Sequence, residues 1–144
     1  MGQNFSTVKS ITDNIQNVFQ KEGIKFTRAT YENKKNIPIS LIPHGEIFYK
    51  GESFEYTHGQ RQGYNEINYL VRVILRDTDP ASLIMETQKW IHNIRNVFTV
   101  NALNIGDLSA SKLVSLAIIK NIEIENKIDI AILMLDVIVR YRET

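Results

Sequence analysis

From Ser6 to Glu22, apolar side chains return every three or four residues, at Val8, Ile11, Ile15, Val18 and Phe19. That spacing lines one side of a helix, with Ser6 or Thr7 to cap its start and Gly23 to end it. A polar run from Thr27 to Asn36 follows, and Pro38 and Pro43 then bracket Ile39-Ser40-Leu41-Ile42. The bracketed segment reads as an edge or first strand, because proline has no N–H to give to an interior ladder. The turn Pro43-His44-Gly45 leads into a second short strand at Ile47-Phe48-Tyr49. Between Gly51 and Gly63, three glycines interrupt a segment without helical period, which predicts a long hairpin arm or loop over 51–63.

Tyr64 to Arg76 alternates almost throughout, with Ile67, Tyr69, Val71, Val73 and Leu75 on one face of a strand and Asn68, Leu70, Arg72, Ile74 and Arg76 on the other. Asp79-Pro80 is a favoured helix start, since the carboxylate caps free N–H groups and proline suits the first helical position. The stripe Leu83, Ile84, Thr87, Trp90, Ile91, Ile94, Val97 and Phe98 carries that helix to about Phe98. A loop over 101–107 precedes two segments, Leu113 to Glu125 and Ile128 to Arg142, that predict a hairpin turning at Asn126-Lys127. The order α-β-β-(β)-α-β-β, with no internal repeat or linker over 1–144, predicts one α+β domain: a two-layer sandwich of two main helices on a mostly antiparallel sheet.

The final strand does not fit a sheet with one wet face. Leu133, Leu135, Val137, Val139 and Tyr141 share one parity, yet Ile130, Ile132, Met134 and Ile138 share the other with Asp136 and Arg140. Clean alternation marks a sheet with one solvated side, so something covers the second face. Either the two helices lie on opposite faces, or a neighbouring subunit covers it, with Arg72, Arg76, Asp136 and Arg140 near the contact rim.

Composition narrows the chemistry. The chain of 144 residues holds no cysteine, which excludes thiolate catalysis, disulfides and cysteine-based zinc sites. Seventeen Lys+Arg face sixteen Asp+Glu, for a formal charge of +1, and Lys34-Lys35 are the only adjacent cations; no phosphate-binding surface is announced. The opening MGQNFSTVKS has neither the basic nor the apolar region of a secretory signal, and the longest apolar stretch, Ile130 to Leu135, is far too short to span a bilayer. His44, His58 and His92 have no second histidine at ligand spacing, and no phosphate loop, nucleophile elbow or dinucleotide turn occurs. We therefore expect no enzyme, cofactor or metal site. The counter-hypothesis is a small α+β enzyme or ligand-binding module, which a deep cleft with convergent polar groups would favour.

The Pro-bracketed segment 38–43, the glycine-containing arm, the strand Tyr69-Leu70-Val71-Arg72-Val73-Ile74-Leu75, the Asp79-Pro80 helix start and the ending from Asp129 through Val139-Arg140-Tyr141-Arg142-Glu143 carry a resemblance. In that order they resemble the tail terminator, or tail completion, proteins of tailed bacteriophages. The likeness spans roughly residues 5–143 as an order of elements plus a terminal strand. It implies a structural virion protein, assembled in the host cytoplasm, forming a cyclic homo-oligomer that is commonly a hexamer. Such a ring caps the tail tube, ends its polymerisation and offers the head-side neck or connector a docking surface, with DNA only passing through its channel. A neck protein or another tail ring is the alternative within the same particle. On this resemblance Phe54, Tyr56, His58 and Arg61 of the arm are candidates for reaching a neighbouring subunit or tube ring.

Overall fold

The computed structural model describes residues 3–27, 37–54 and 64–142. Its elements are α1 (Gln3–Lys21), β1 (Lys25–Phe26), a 3-10 turn (Ile39–Leu41), β2 (His44–Phe54), β3 (Tyr64–Arg76), α2 (Pro80–Val97), α3 (Val100–Leu103), a second 3-10 turn (Gly106–Leu108), β4 (Val114–Asn126) and β5 (Ile130–Arg142). The strands form one sheet in the order β1-β2-β3-β5-β4. Apart from β1, which runs parallel to β2 for two residues, every pairing is antiparallel. The expected α+β class with a mostly antiparallel sheet is what the chain adopts.

α1 buries Ile11, Ile15, Val18 and Phe19, the expected stripe. It ends where Gly23 takes a φ of +100°, so that Gly23 and Ile24 donate back to the carbonyls of Gln20 and Phe19. This left-handed turn satisfies the last carbonyls and suits glycine best. α2 starts as its sequence directs, with the Asp79 carboxylate accepting from Ala81 N–H at 3.1 Å and Pro80 opening the helix. Replacing Asp79 by Ala leaves that donor to water, and we expect a loss of about 0.5–2 kcal/mol in chemical denaturation. Asn at the same position should retain most of the stability.

β3 and β5 pair along their whole length, from Tyr64 opposite Arg142 to Arg76 opposite Ile130. Their odd-numbered residues, Ile67 to Leu75 and Ala131 to Tyr141, face the helices and are almost fully buried. Both main helices pack here, since Phe19 of α1 stacks on Phe98 at 5.7 Å and Asn93 of α2 donates to Glu22 at 3.2 Å. Helices on opposite faces of the sheet are thereby ruled out. Each helix follows the larger continuous apolar surface, and only on the same side can the two also bury each other.

Two further expectations need correction. The segment between the prolines is not a strand: Leu41 and Ile42 donate to the carbonyls of Pro38 and Ile39 and close a 3-10 turn. Proline at both ends denies the ladder its donors while its fixed φ suits a tight turn, so the strand begins only at His44. The loop over 101–107 also contains α3 and the start of the second 3-10 turn, and α3 is held to α1 by Asn14, which donates to the carbonyls of Leu103 and Ile105. The hairpin expected over 51–63 is realised in part: residues 51–54 continue β2 beside β3, and 55–63 lie outside the described residues.

Candidate functional site

With both helices on one side, the other side of the sheet is helix-free among the described residues. One end of it is covered by the chain itself. Ile37, Ile74, Ile130 and Ile132 form a small second core, capped by Leu41, Ile42 and Met134. Arg76 fastens this cover by donating from Nη1 to the Ile37 carbonyl at 3.1 Å. The Pro-bracketed turn therefore accounts for part of the apolar second parity of β5.

Among the described residues, nothing covers the rest of the face. Its cross-strand rows follow from the register: Phe48, Leu70, Asp136 and Asn121 in one, Asn68, Ile138 and Ile118 in the next, then Glu66, Arg140 and Leu116. Phe48, Leu70, Ile138 and Leu116 are only half-buried and Ile118 is 40% exposed, so the surface mixes apolar and charged groups.

The residues singled out from sequence divide by position. Arg72, Asp136 and Arg140 do share this face, whereas Arg76 sits at its covered end. Three of the four have partners within the chain. Arg72 lies 4.7 Å over the Phe48 ring and 3.8 Å from the buried Glu46 carboxylate. Arg140 pairs with Glu66 at 2.9 Å, directly across from it in the register. Asp136 is exposed in mid-face. Phe54, 51% exposed at the end of β2, sits opposite Asn65 and so on the helix side. Tyr56, His58 and Arg61 lie outside the described residues.

A second polar group was not legible in sequence. On the helix side, the Glu52 carboxylate accepts from Tyr49 on one oxygen and from Tyr141 at 2.9 Å on the other, and Asn65 donates to the Tyr141 hydroxyl at 3.2 Å. Tyr69 meets Tyr49 edge-on at 6.0 Å between ring centroids and shares a hydrogen bond with Thr12 of α1 at 2.8 Å. A bulge between Tyr49 and Gly51 turns Glu52 to the same side as Tyr49, an arrangement strict alternation would not predict.

Burial and the neighbouring Glu52 push the Tyr49 phenol up to about 12, and burial also raises Tyr69. Both phenols stay protonated at neutral pH and hydrogen-bond to neighbours, so that the cluster stitches β2, β3, β5 and α1 together. The pH consequence is signed. Above the ordinary tyrosine range near 10, the unfolded chain has released protons that the folded chain still holds, so the contribution of these phenols is constant below about pH 10 and is lost as pH rises beyond it. Glu52→Gln should bring the Tyr49 titration, followed by ultraviolet absorbance, back toward 10. It should also cost about 1–3 kcal/mol, because the buried Tyr141 hydroxyl loses its charged acceptor.

One groove of about 510 Å³ runs along α2, is wide open to solvent and is lined by Met85, Gln88, Lys89, His92, Asn93 and Asn96. A second groove of about 250 Å³ between α1 and the second 3-10 turn is lined by Ser6, Thr7, Ser10, Asp107, Leu108, Ser111 and Leu113. It is smaller than the usual ligand cleft of about 300–1,000 Å³, and its lining is mostly hydroxyl. Among the described residues no three His, Asp or Glu side chains draw together as a metal group, and no helix is long and apolar enough to cross a membrane. Comparison with models of protein families and with curated proteins returns no match to this chain.

Proposed function

We propose that the chain is a structural ring protein of a tailed phage particle, which caps the tail tube, ends its growth and presents a docking surface to the neck. The observation that carries the proposal is the half-apolar face around Phe48, Leu70, Ile138 and Ile118, helix-free among the described residues, on a sheet whose other side buries its central strands under the helices. A face of this kind, with charged groups fixed among apolar ones, has the composition of a subunit interface rather than of a catalytic cleft. The resemblance in order of elements to the tail terminators supplies the setting. Capping requires a ring with two different ends, and head-to-tail contacts that close by rotation produce one.

The test has two arms. Purified protein mixed with tail tubes should appear by negative-stain imaging as a ring on tube ends, and native mass spectrometry should give a cyclic oligomer. A chain that remains monomeric and ignores tube ends overturns the proposal. Deleting the gene should leave tails of uncontrolled length; normal-length tails that fail to join heads would instead assign the chain to the neck.

A further inference from the structure

The sheet ends in two long edges. Among the described residues β4 has no strand on its outer side, and β2 is paired on its outer side at His44 and Gly45 alone. Long open edges attract other strands, and folded proteins ordinarily block them. We infer that the proposed ring closes by strand addition, β4 of one copy pairing antiparallel with β2 of the next, in a register that sets Phe54 opposite Ala117, Ser53 opposite Ile118 and Tyr49 opposite Ile122. This rests on the ring assignment above and names the contact that makes it.

Three observations carry it. The first is direction. β2, β3, β5 and β4 alternate strictly, so when identical copies are set side by side in one orientation, β4 meets the next β2 antiparallel and the alternation continues. The contact is heterologous, as ring closure demands.

The second is the bulges. β2 carries one between Tyr49 and Gly51, and β4 carries one between Ile119 and Asn121. A bulge disrupts pairing with a regular strand, which protects each edge from indiscriminate partners. In this register the two bulges fall opposite each other, Lys50-Gly51 against Lys120-Asn121. Side-chain parity is then kept on both sides of them: Tyr49, Phe54, Ala117 and Ile122 all face the helix side, while Ser53 and Ile118 face the other.

The third is chemistry. Tyr49 and Phe54, 54% and 51% exposed on one edge, gain apolar partners across the junction. Phe48, with the Arg72 guanidinium 4.7 Å over its ring, comes opposite Glu123, and Lys50 lies diagonal to the same carboxylate. The exposed Glu123 carboxylate on the β4 side thus meets Lys50 and the Arg72-capped Phe48 on the β2 side, while Lys120 shares the facing bulges with Lys50 and keeps them from closing tightly.

The chain has no cysteine, so the register can be read by cross-linking. Ser53→Cys combined with Ile118→Cys changes two exposed side chains on opposite edges. Within one copy they lie about 16 Å apart, three strand spacings across and two residues along, too far for a disulfide. Under mild oxidation of the full chain with tail tubes present, this double variant should give a denaturant-resistant ladder that runs up to the ring size. Ser53→Cys combined with Glu125→Cys, out of register, should give none. A ring seen by native mass spectrometry without the in-register ladder overturns the edge contact and leaves the ring standing. A ladder that stops at the dimer indicates a two-fold contact and also overturns it. A wild-type chain that stays monomeric with tubes present overturns both.

Discussion

Leu135→Ala should remove about 2–5 kcal/mol of stability, the cost of a cavity in a site that cannot collapse, whereas Ile138→Ala on the same strand should cost the monomer about 1 kcal/mol or less. Leu135 is fully buried between Val71 and Ile122 on the neighbouring strands, with the helices above it. Against a total of about 5–15 kcal/mol for an ordinary domain, that loss is large. Ile138, on the opposite parity, is half-buried and keeps water nearby. Urea denaturation at low protein concentration measures both. If Ile138→Ala proves as costly as Leu135→Ala, and more so as concentration rises, the helix-free face is covered by another copy even without the tube.

Substitution of Gly45 by Ala should cost about 1–3 kcal/mol, and by Val more, through overpacking. A Cβ at that position would stand 2.6 Å from the end of the Phe26 ring and 2.8 Å from the Ile24 side chain. Phe26 cannot simply swing aside without consequence, because its ring stacks on Phe19 at 6.4 Å and Phe19 stacks in turn on Phe98. The added methyl therefore presses on the contact between β1 and both helices. A fall in Tm of roughly 3–5 °C for each kcal/mol is expected by circular dichroism. Phe26→Leu should recover part of it in the Gly45→Ala background and lower stability in the parent. A Gly45→Ala variant that melts with the wild type would show that Phe26 yields without strain.

The elements that could be read along the chain are those whose pattern is local. The alternation over Tyr64–Arg76 needed no partner to be recognised, and Asp79-Pro80 carries its own start signal, so both fell where expected. The double apolar parity of the last strand was also visible, but its cause was not. Ile132 and Met134 are covered by the turn around Leu41, and whether that turn is strand or 3-10 depends on what lies beneath it. Side of the sheet is likewise a tertiary choice: the stripes of α1 and α2 say that each buries a face, and only the Phe19–Phe98 contact decides that they bury the same one. The tyrosine cluster escaped for a third reason. Tyr49, Glu52 and Tyr141 converge through a bulge and a register between strands distant in sequence, and neither leaves a periodic trace. The partners of the arginines were equally out of reach, since Arg72, Arg76 and Arg140 meet Glu46, the Ile37 carbonyl and Glu66 only when the chain folds.

The placement of β5 between β3 and β4 also governs how the molecule comes together in time. β2 with β3 and β4 with β5 are pairings between neighbours in sequence, with little chain between them to close. What unites them is one long seam, Tyr64 with Arg142 through Arg76 with Ile130, between residues far apart along the chain. Closing such a seam costs chain entropy before it returns contacts, and distant pairings of this kind slow folding. Closing this seam is therefore expected to limit the folding rate. Until it closes, the strand edges along it stand open, so the interval before closure is when the chain is most exposed to wrong partners.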